Sequence, residues 1–232
     1  MARAPISVVI PTLNSADDLA PCLASLTEGL SAGLIREVIV TDGGSTDGTL
    51  ALADHAGANV VSGAKSRGGQ LRRGCADAKG DWLLILHADT QMGQGWTAAV
   101  LDHISGDADR AGYFRLAFRA HGLGARNVAA WANVRSRLFA LPYGDQGLLI
   151  PTALYHQVGG FPEIALMEDV ALVRRLRGRL TRVDATASTS ADKYLRQGWI
   201  KRGGLNLLML LRFLAGTDPE KLAREYAADK GA

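Results

Sequence analysis

Three apolar runs in the first ninety residues each break off into a short polar turn, and that recurrence most constrains the fold. Residues 6–10 end at Pro11-Thr12-Leu13-Asn14, residues 35–41 at the glycine-rich stretch 42–49, and residues 82–86 at His87-Ala88-Asp89-Thr90. Apolar runs of this kind read as strands buried on both faces. Between them, Leu19, Leu23, Leu26 and Leu30 recur at helical spacing over 16–29. Further helices are predicted over 49–56 and 70–78, with a short strand at Val60 and Val61. Such alternation specifies right-handed βαβ units, hence an α/β fold with a parallel sheet and helices on both faces. Parallel strands end on one edge, so the three polar turns should meet in one crevice, where such sheets bind ligands.

Beyond residue 110 the pattern loosens. Strands are predicted over 112–120 and 147–150, the second ended by Pro151, with helices over 124–139 and 168–177. The tail from Lys193 reads as helical, with a hinge at Gly203-Gly204 and a last helix opened by Asp218-Pro219. This divides the chain into a body at 1–190 and a helical extension at 191–232. With 47% apolar and 21% charged residues the chain can bury a real core. A net charge of +3 gives no reason to expect a nucleic-acid partner. Cys22 and Cys75 suit small core positions of a reducing compartment. Residues 1–5 lack the apolar stretch of a signal peptide, and no run approaches the ~18–20 apolar residues of a membrane span. The expected location is cytoplasmic, or peripheral at the inner face of a membrane.

The chemistry-bearing residues sit in the turns. Asp89 follows a buried strand, where a carboxylate either shapes a turn or holds a divalent cation and, through it, a diphosphate. Asp42 opens a turn whose glycines allow close backbone approach, and Asp47 or Thr46 suits a helix cap. That loop lacks the Lys-Ser/Thr ending of a phosphate-cradling loop and the GxGxxG dinucleotide fingerprint. Arg67 and Lys65 offer positive charge to a phosphate or base, with Gln70 a polar contact at a helix start. Glu168-Asp169 opens a helix, where acidic residues favour the dipole, yet the apolar stretch 159–167 before it would press them against a pocket wall. A carboxylate there can act as general base towards a hydroxyl. Tyr143-Gly144-Asp145-Gln146-Gly147 reads as a hairpin turn or a source of sugar-type hydrogen bonds.

Taken in order, Val8-Val9-Ile10-Pro11-Thr12-Leu13-Asn14, Val40-Thr41-Asp42-Gly43-Gly44-Ser45-Thr46-Asp47-Gly48-Thr49, Leu86-His87-Ala88-Asp89-Thr90 and Met167-Glu168-Asp169 resemble the family 2 inverting nucleotide-sugar glycosyltransferases over about residues 6–190. Leu166-Met167-Glu168-Asp169-Val170, the turn at Tyr143, and Arg212-Phe213-Leu214-Ala215-Gly216-Thr217-Asp218-Pro219 are similar to a small soluble branch labelled for arsenosugar biosynthesis. The resemblance implies a GT-A fold, with a mixed, mostly parallel sheet, a nucleotide-diphosphate sugar donor, Mn²⁺ or Mg²⁺, and an acceptor hydroxyl. It implies that Pro11, Thr12 and Asn14 line the base pocket, that Asp42 and Arg67 contact base, ribose or phosphate, and that Gln70, His87 and Ala88 lie on the donor side. Asp89 matches the metal-binding acid, Asp169 the catalytic base and Glu168 its supporting neighbour, with Tyr143, Gly144, Asp145 and Gln146 towards the acceptor.

His87 departs from that pattern, which usually has an acid there. An imidazole ligates Mn²⁺ but suits Mg²⁺ poorly, so His87 either touches metal or orients Asp89 or the ribose. The tail mixes Arg196, Lys201, Arg202 and Arg212 with Trp199, Ile200 and a run of leucines. That mixture suits a membrane surface, a cover over the acceptor side or a homodimer contact. Two rival readings exist. A sugar-phosphate nucleotidylyltransferase would need a basic glycine-rich loop where Pro11-Thr12-Leu13-Asn14 stands. A non-catalytic nucleotide- or glycan-binding module draws support only from His87.

Overall fold

The computed structural model describes residues 4–228. Its elements run β1 (Ile6–Thr12), α1 (Ala16–Ser25), α2 (Thr27–Ser31), β2 (Ile35–Asp42), α3 (Thr49–His55), β3 (Asn59–Ser62), α4 (Arg67–Asp77), β4 (Trp82–Ile85), β5 (Thr90–Met92), α5 (Trp96–Gly106), β6 (Ala111–Phe118) and α6 (Leu123–Phe139). There follow β7 (Leu148–Pro151), α7 (Thr152–Gln157), α8 (Glu168–Arg175), β8 (Leu180–Thr189), α9 (Asp192–Gln197), α10 (Trp199–Leu214) and α11 (Pro219–Ala228). Among the described residues the strands form one eight-stranded sheet in the order β3-β2-β1-β4-β7-β6-β8-β5. Pairing is parallel from β3 through β4 and between β6 and β8, and antiparallel at β4–β7, β7–β6 and β8–β5. Strands β1 to β4, β6 and β8 therefore share one direction, and their carboxyl ends share one edge.

The side chains of β1 show why both faces are covered. Ile6, Val8 and Ile10 pack with Leu19, Cys22, Trp96 and Val100 on one side. Val9 points the other way, onto Leu71, Cys75, Leu154 and Leu172. A third cluster joins Leu141, Met167, Val170 and Val173 to Met209, Leu210 and Leu222, so α10 and α11 pack on α8. Both cysteines are buried thiols.

Several expectations change. The helix foreseen over 16–29 is two, parted at Leu26, where the Trp96 indole N–H donates to the Ser25 carbonyl at 3.3 Å. Helix α4 begins at Arg67, so Arg67 belongs to its first turn and not to the loop before it, while Gln70 lies in the helix as expected. No hinge occurs at Gly203-Gly204, and α10 runs unbroken. Two glycines disfavour a helix by about 1 kcal/mol each, and packing of Met209 and Leu210 offsets that. Strand β8, ten residues long, escaped the apolar pattern because its inward side chains, Val183, Ala187 and Thr189, are small or polar. Helix α5 was missed too, although Trp96, Val100 and His103 recur at helical spacing on its buried face.

The two faces of α10 should answer differently to truncation. Leu210→Ala removes a 4%-exposed side chain and should lower stability by ~2–4 kcal/mol, whereas Leu208→Ala, 49% exposed, should change it by under ~0.5 kcal/mol. Urea unfolding of both variants measures the contrast.

Candidate active site

The tripeptide His87-Ala88-Asp89 carries the chain from β4, inside the sheet, to β5 at its far edge. The turn closes where Thr90 N–H donates to the His87 carbonyl at 3.0 Å. The Arg119 guanidinium then donates to the carbonyls of Asp89 (2.7 Å) and Ser188 (2.9 Å), fastening the turn to β8. One carboxylate oxygen of Asp89, Oδ1, is buried without a hydrogen-bond partner. Asp89 lines a pocket of about 140 Å³ with Arg67, His87, Tyr143, Asp145, Asp169 and Lys193.

The opposite wall is the start of α8. Met167 holds a left-handed backbone (φ +67°), a conformation strained for a residue with a Cβ, and so re-aims the chain before Glu168 and Asp169. The Asp169 carboxylate is fixed by two backbone donors, Gly144 N–H to Oδ2 and Val170 N–H to Oδ1, both at 2.7 Å. Gly144 has no room for a side chain, since a Cβ would lie 2.3 Å from His87 Nε2. Glu168, 2% exposed, pairs with Arg67 Nε at 2.9 Å. Burial pushes the Glu168 carboxyl up to about 7, with Arg67 opposing and Asp169 adding to the rise. Arg67 also reaches the His87 ring, its Nη2 3.0 Å from Nδ1. A guanidinium only donates, so the imidazole accepts and is neutral. Burial, then the Arg67 charge, holds the His87 pKa well below its ordinary value.

Arg67 is placed by the start of α4. The Ser66 hydroxyl accepts from Gly69 N–H at 3.3 Å as the cap, and Gly68 lets the helix meet the 162–164 backbone, where a Cβ would lie 2.1 Å from the Pro162 carbonyl.

The sequence 143–147 forms a 3₁₀ turn at Gly144–Gln146. Tyr143, Gly144 and Asp145 line the pocket. Gln146 faces inward: it is fully buried, donates to the Phe114 carbonyl at 3.1 Å and accepts from the Ser136 hydroxyl. Asp145 Oδ1 is buried without a partner. Burial pushes the Asp145 carboxyl up to about 6, Arg135 opposing and the Asp169 and Asp89 charges adding.

Pro11, Thr12, Asn14, Asp42, Gln70 and Ala88 do not line this pocket. They belong to the adjoining ends of β1, β2 and β4 and the α4 start. Asp42 Oδ2 accepts from Gly44 N–H (2.7 Å) and Ser45 N–H (2.8 Å), and Oδ1 from the Thr12 and Ser45 hydroxyls. Burial would raise its pKa, but these hydrogen bonds hold it below the usual carboxylate value. Asn14 ties the first two turns together through Ser45 and Thr46. Asp47 accepts from Thr49 N–H and Ala16 N–H, joining the starts of α3 and α1. The Gln70 amide donates to the Thr12 and Thr41 carbonyls at 2.7 and 2.8 Å.

Residues not foreseen for the site complete it: Phe118, Thr189, Ser190, Lys193, Tyr194 and Asn206. They come from the ends of β6 and β8 and the helices after them, and only recognition of β8 as parallel to β6 would have pointed there. Burial lowers the Lys193 pKa, with Asp89 opposing. Arg202, for whose tail mixture a membrane surface, a cover over the acceptor side and a homodimer contact were all open, is buried in the pocket wall beside Gln197 and Tyr226.

Among the described residues no group of three His, Cys, Asp or Glu is arranged as a metal cage. The orphaned Asp89 oxygen still fits Mn²⁺ or Mg²⁺, because such ions commonly take one or two protein carboxylates and fill their shell with substrate phosphates and water.

The model of the family described as Glycosyl transferase family 2 matches residues 7–153. The chain belongs to that family. A PGL/p-HBAD biosynthesis glycosyltransferase of Mycobacterium bovis is 35% identical over 106 residues, 43% of this chain and 41% of that protein. Glycosyltransferase AglJ of Haloferax volcanii is 30% identical over 143 residues, 60% of this chain and 46% of that protein. The chain thus spans less than half the length of these curated relatives. Among solved structures, S. aureus TarS 1-349 with UDP-GlcNAc aligns at a TM-score of 0.60 and 18% identity, covering 80% of this chain and 58% of that one. Glucosyl-3-phosphoglycerate synthase from Mycobacterium tuberculosis with Mn²⁺, UDP and glucosyl-3-phosphoglycerate aligns at 0.56 and 20%, covering 80% and 71%. The fold is therefore GT-A, the curled mixed sheet flanked by helices that these neighbours share.

Asp145 and Glu168 have folded pKa values raised above their unfolded ones, so their contribution to stability is full below about pH 4 and lost as pH rises through about 6 and 7. Asp145→Asn removes one such buried charge. It should raise Tm near ~pH 8 and leave it nearly unchanged near ~pH 4, as thermal melts across that range will show.

Proposed function

We propose that the chain transfers a sugar, with inversion, from a nucleoside-diphosphate donor to an acceptor hydroxyl. The observation that carries this reading is the pairing across one pocket of Asp89, with its buried unpartnered oxygen, and Asp169, aimed by two backbone N–H groups. Family membership and the GT-A fold support it. Asp169 takes the proton of the acceptor hydroxyl as that oxygen bonds to the anomeric carbon and the bond from that carbon to the diphosphate breaks. Mn²⁺ or Mg²⁺ at Asp89 would supply the charge that stabilises the leaving diphosphate. Lys193 and Arg67 add positive charge to the pocket lining. Glu168, paired with Arg67, steadies the base-bearing turn.

His87 serves through one ring nitrogen as an acceptor for Arg67 and as a support for the Asp89 turn, not as a metal ligand. Pro11, Thr12 and Asn14 form the base side of the crevice. Asp42 acts through the loop that it shapes, because its four acceptor positions are filled from within the protein. The neighbours crystallised with UDP and UDP-GlcNAc make uridine donors the first to try.

The test is release of nucleoside diphosphate from a donor panel with Mn²⁺ or Mg²⁺ and a broad set of hydroxyl acceptors. Asp169→Asn and Asp89→Ala should each lower kcat/KM by about 10³-fold, and chelation should abolish release. Gly144→Ala should lower kcat more than KM by displacing Asp169. Pyrophosphate from a nucleoside triphosphate and a sugar phosphate would instead assign a nucleotidylyltransferase, and binding without turnover a non-catalytic module.

A further inference from the structure

Helices α6 and α10 lie against each other and leave an apolar surface uncovered. On α6 Leu123 (73%), Trp131 (51%), Val134 (45%) and Leu138 (69%) are exposed along one stripe at helical spacing, with the exposed Phe139 beside it at the helix end. On α10 Ile200 (92%), Leu207, Leu208 and Leu211 are exposed, again along one stripe. The stripes adjoin, because Trp131 and Leu207 line one narrow groove, and Gly124 packs against the Trp199 ring where a Cβ would lie 2.5 Å away. Neither helix contains an acidic residue, while Arg126, Arg137 and Lys201 are exposed on them.

We propose that this α6–α10 face docks onto an anionic lipid bilayer, resting in the interface without spanning it. The charge pattern selects the occupant: basic residues interleaved with leucines and a tryptophan match a negatively charged headgroup layer. A second copy fits less well, because a two-fold contact would bring like charges together with no acid on either helix to pair them. Among the described residues no helix is long and apolar enough to cross a membrane, so contact through this face is interfacial. The inner side of α10 carries Arg202 and Asn206 into the pocket wall, so the docking face lies one helix diameter, about 10 Å, from the site. Resting on the proposed transferase function, this makes the acceptor a hydroxyl presented at a membrane surface, such as that of a lipid headgroup.

Flotation of the full chain with vesicles of phosphatidylcholine, alone or in equimolar mixture with phosphatidylglycerol, tests the face without requiring turnover. Binding to the anionic vesicles, weakened by salt, is expected. Leu138→Gln with Ile200→Gln should reduce it about tenfold while leaving vesicle-free nucleoside-diphosphate release unchanged, and Arg126→Glu with Lys201→Glu should reduce binding to anionic vesicles by at least as much. Absence of flotation with both compositions, variants that float like the parent, or a dimer dissolved by Leu138→Gln with Ile200→Gln would overturn the proposal. The two readings fail separately: vesicle binding without diphosphate release removes the transferase, and release without vesicle binding removes the docking face.

Discussion

Arg67 is the side chain on which the site depends, because three separately folded segments meet at its guanidinium. It emerges from the first turn of α4, pairs with the buried Glu168 at the start of α8, and contacts the His87 ring in the turn after β4. Glu168 is almost sealed from water, and a carboxylate there would be strongly disfavoured in its charged form without a partner. The neighbouring Asp169 lines the pocket beside that pair, held by two backbone N–H groups. One cation thus sets the distance between the wall that bears Asp169 and the turn that bears Asp89.

Backbone geometry completes what the charge begins. Gly144 passes so close to His87 that no side chain fits, and the same residue donates its N–H to Asp169. Met167 accepts a left-handed conformation immediately before the acidic pair. Strain of this kind persists where surrounding packing over-determines it, and here Val170, Val173 and the tail leucines form the cluster that does so. The C-terminal helices are therefore structural partners of the site: one face of α10 supplies pocket residues, and the other presents the apolar, acid-free surface.

Charge in the pocket is balanced without being cancelled. Asp89, Asp145, Glu168 and Asp169 face Arg67, Lys193 and Arg202, yet an oxygen of Asp89 and one of Asp145 have no partner within the protein. Buried polar atoms in that condition are ones that water, an ion or a substrate group would complete. The ends of β1 and β2 differ, since Asp42, Asn14 and Gln70 find their hydrogen-bond partners in the turns around them.

By itself the sequence determined the strand–helix alternation of the first ninety residues and the shared edge of the three turns. It could do so because buried parallel strands are continuous apolar runs and polar turns interrupt them sharply. Only the tertiary structure decided the rest. Strand β8 was hidden because its inward side chains are Val183, Ala187 and Thr189, so Thr189, Ser190 and Lys193 could not be placed at the site. Whether Gln146 and Gln70 faced ligand or core, and whether Arg202 faced a membrane or the pocket, depended on packing from distant segments. A polar residue reads the same in sequence whether water, substrate or a buried carbonyl will be its partner, and only the assembled chain supplies the partner.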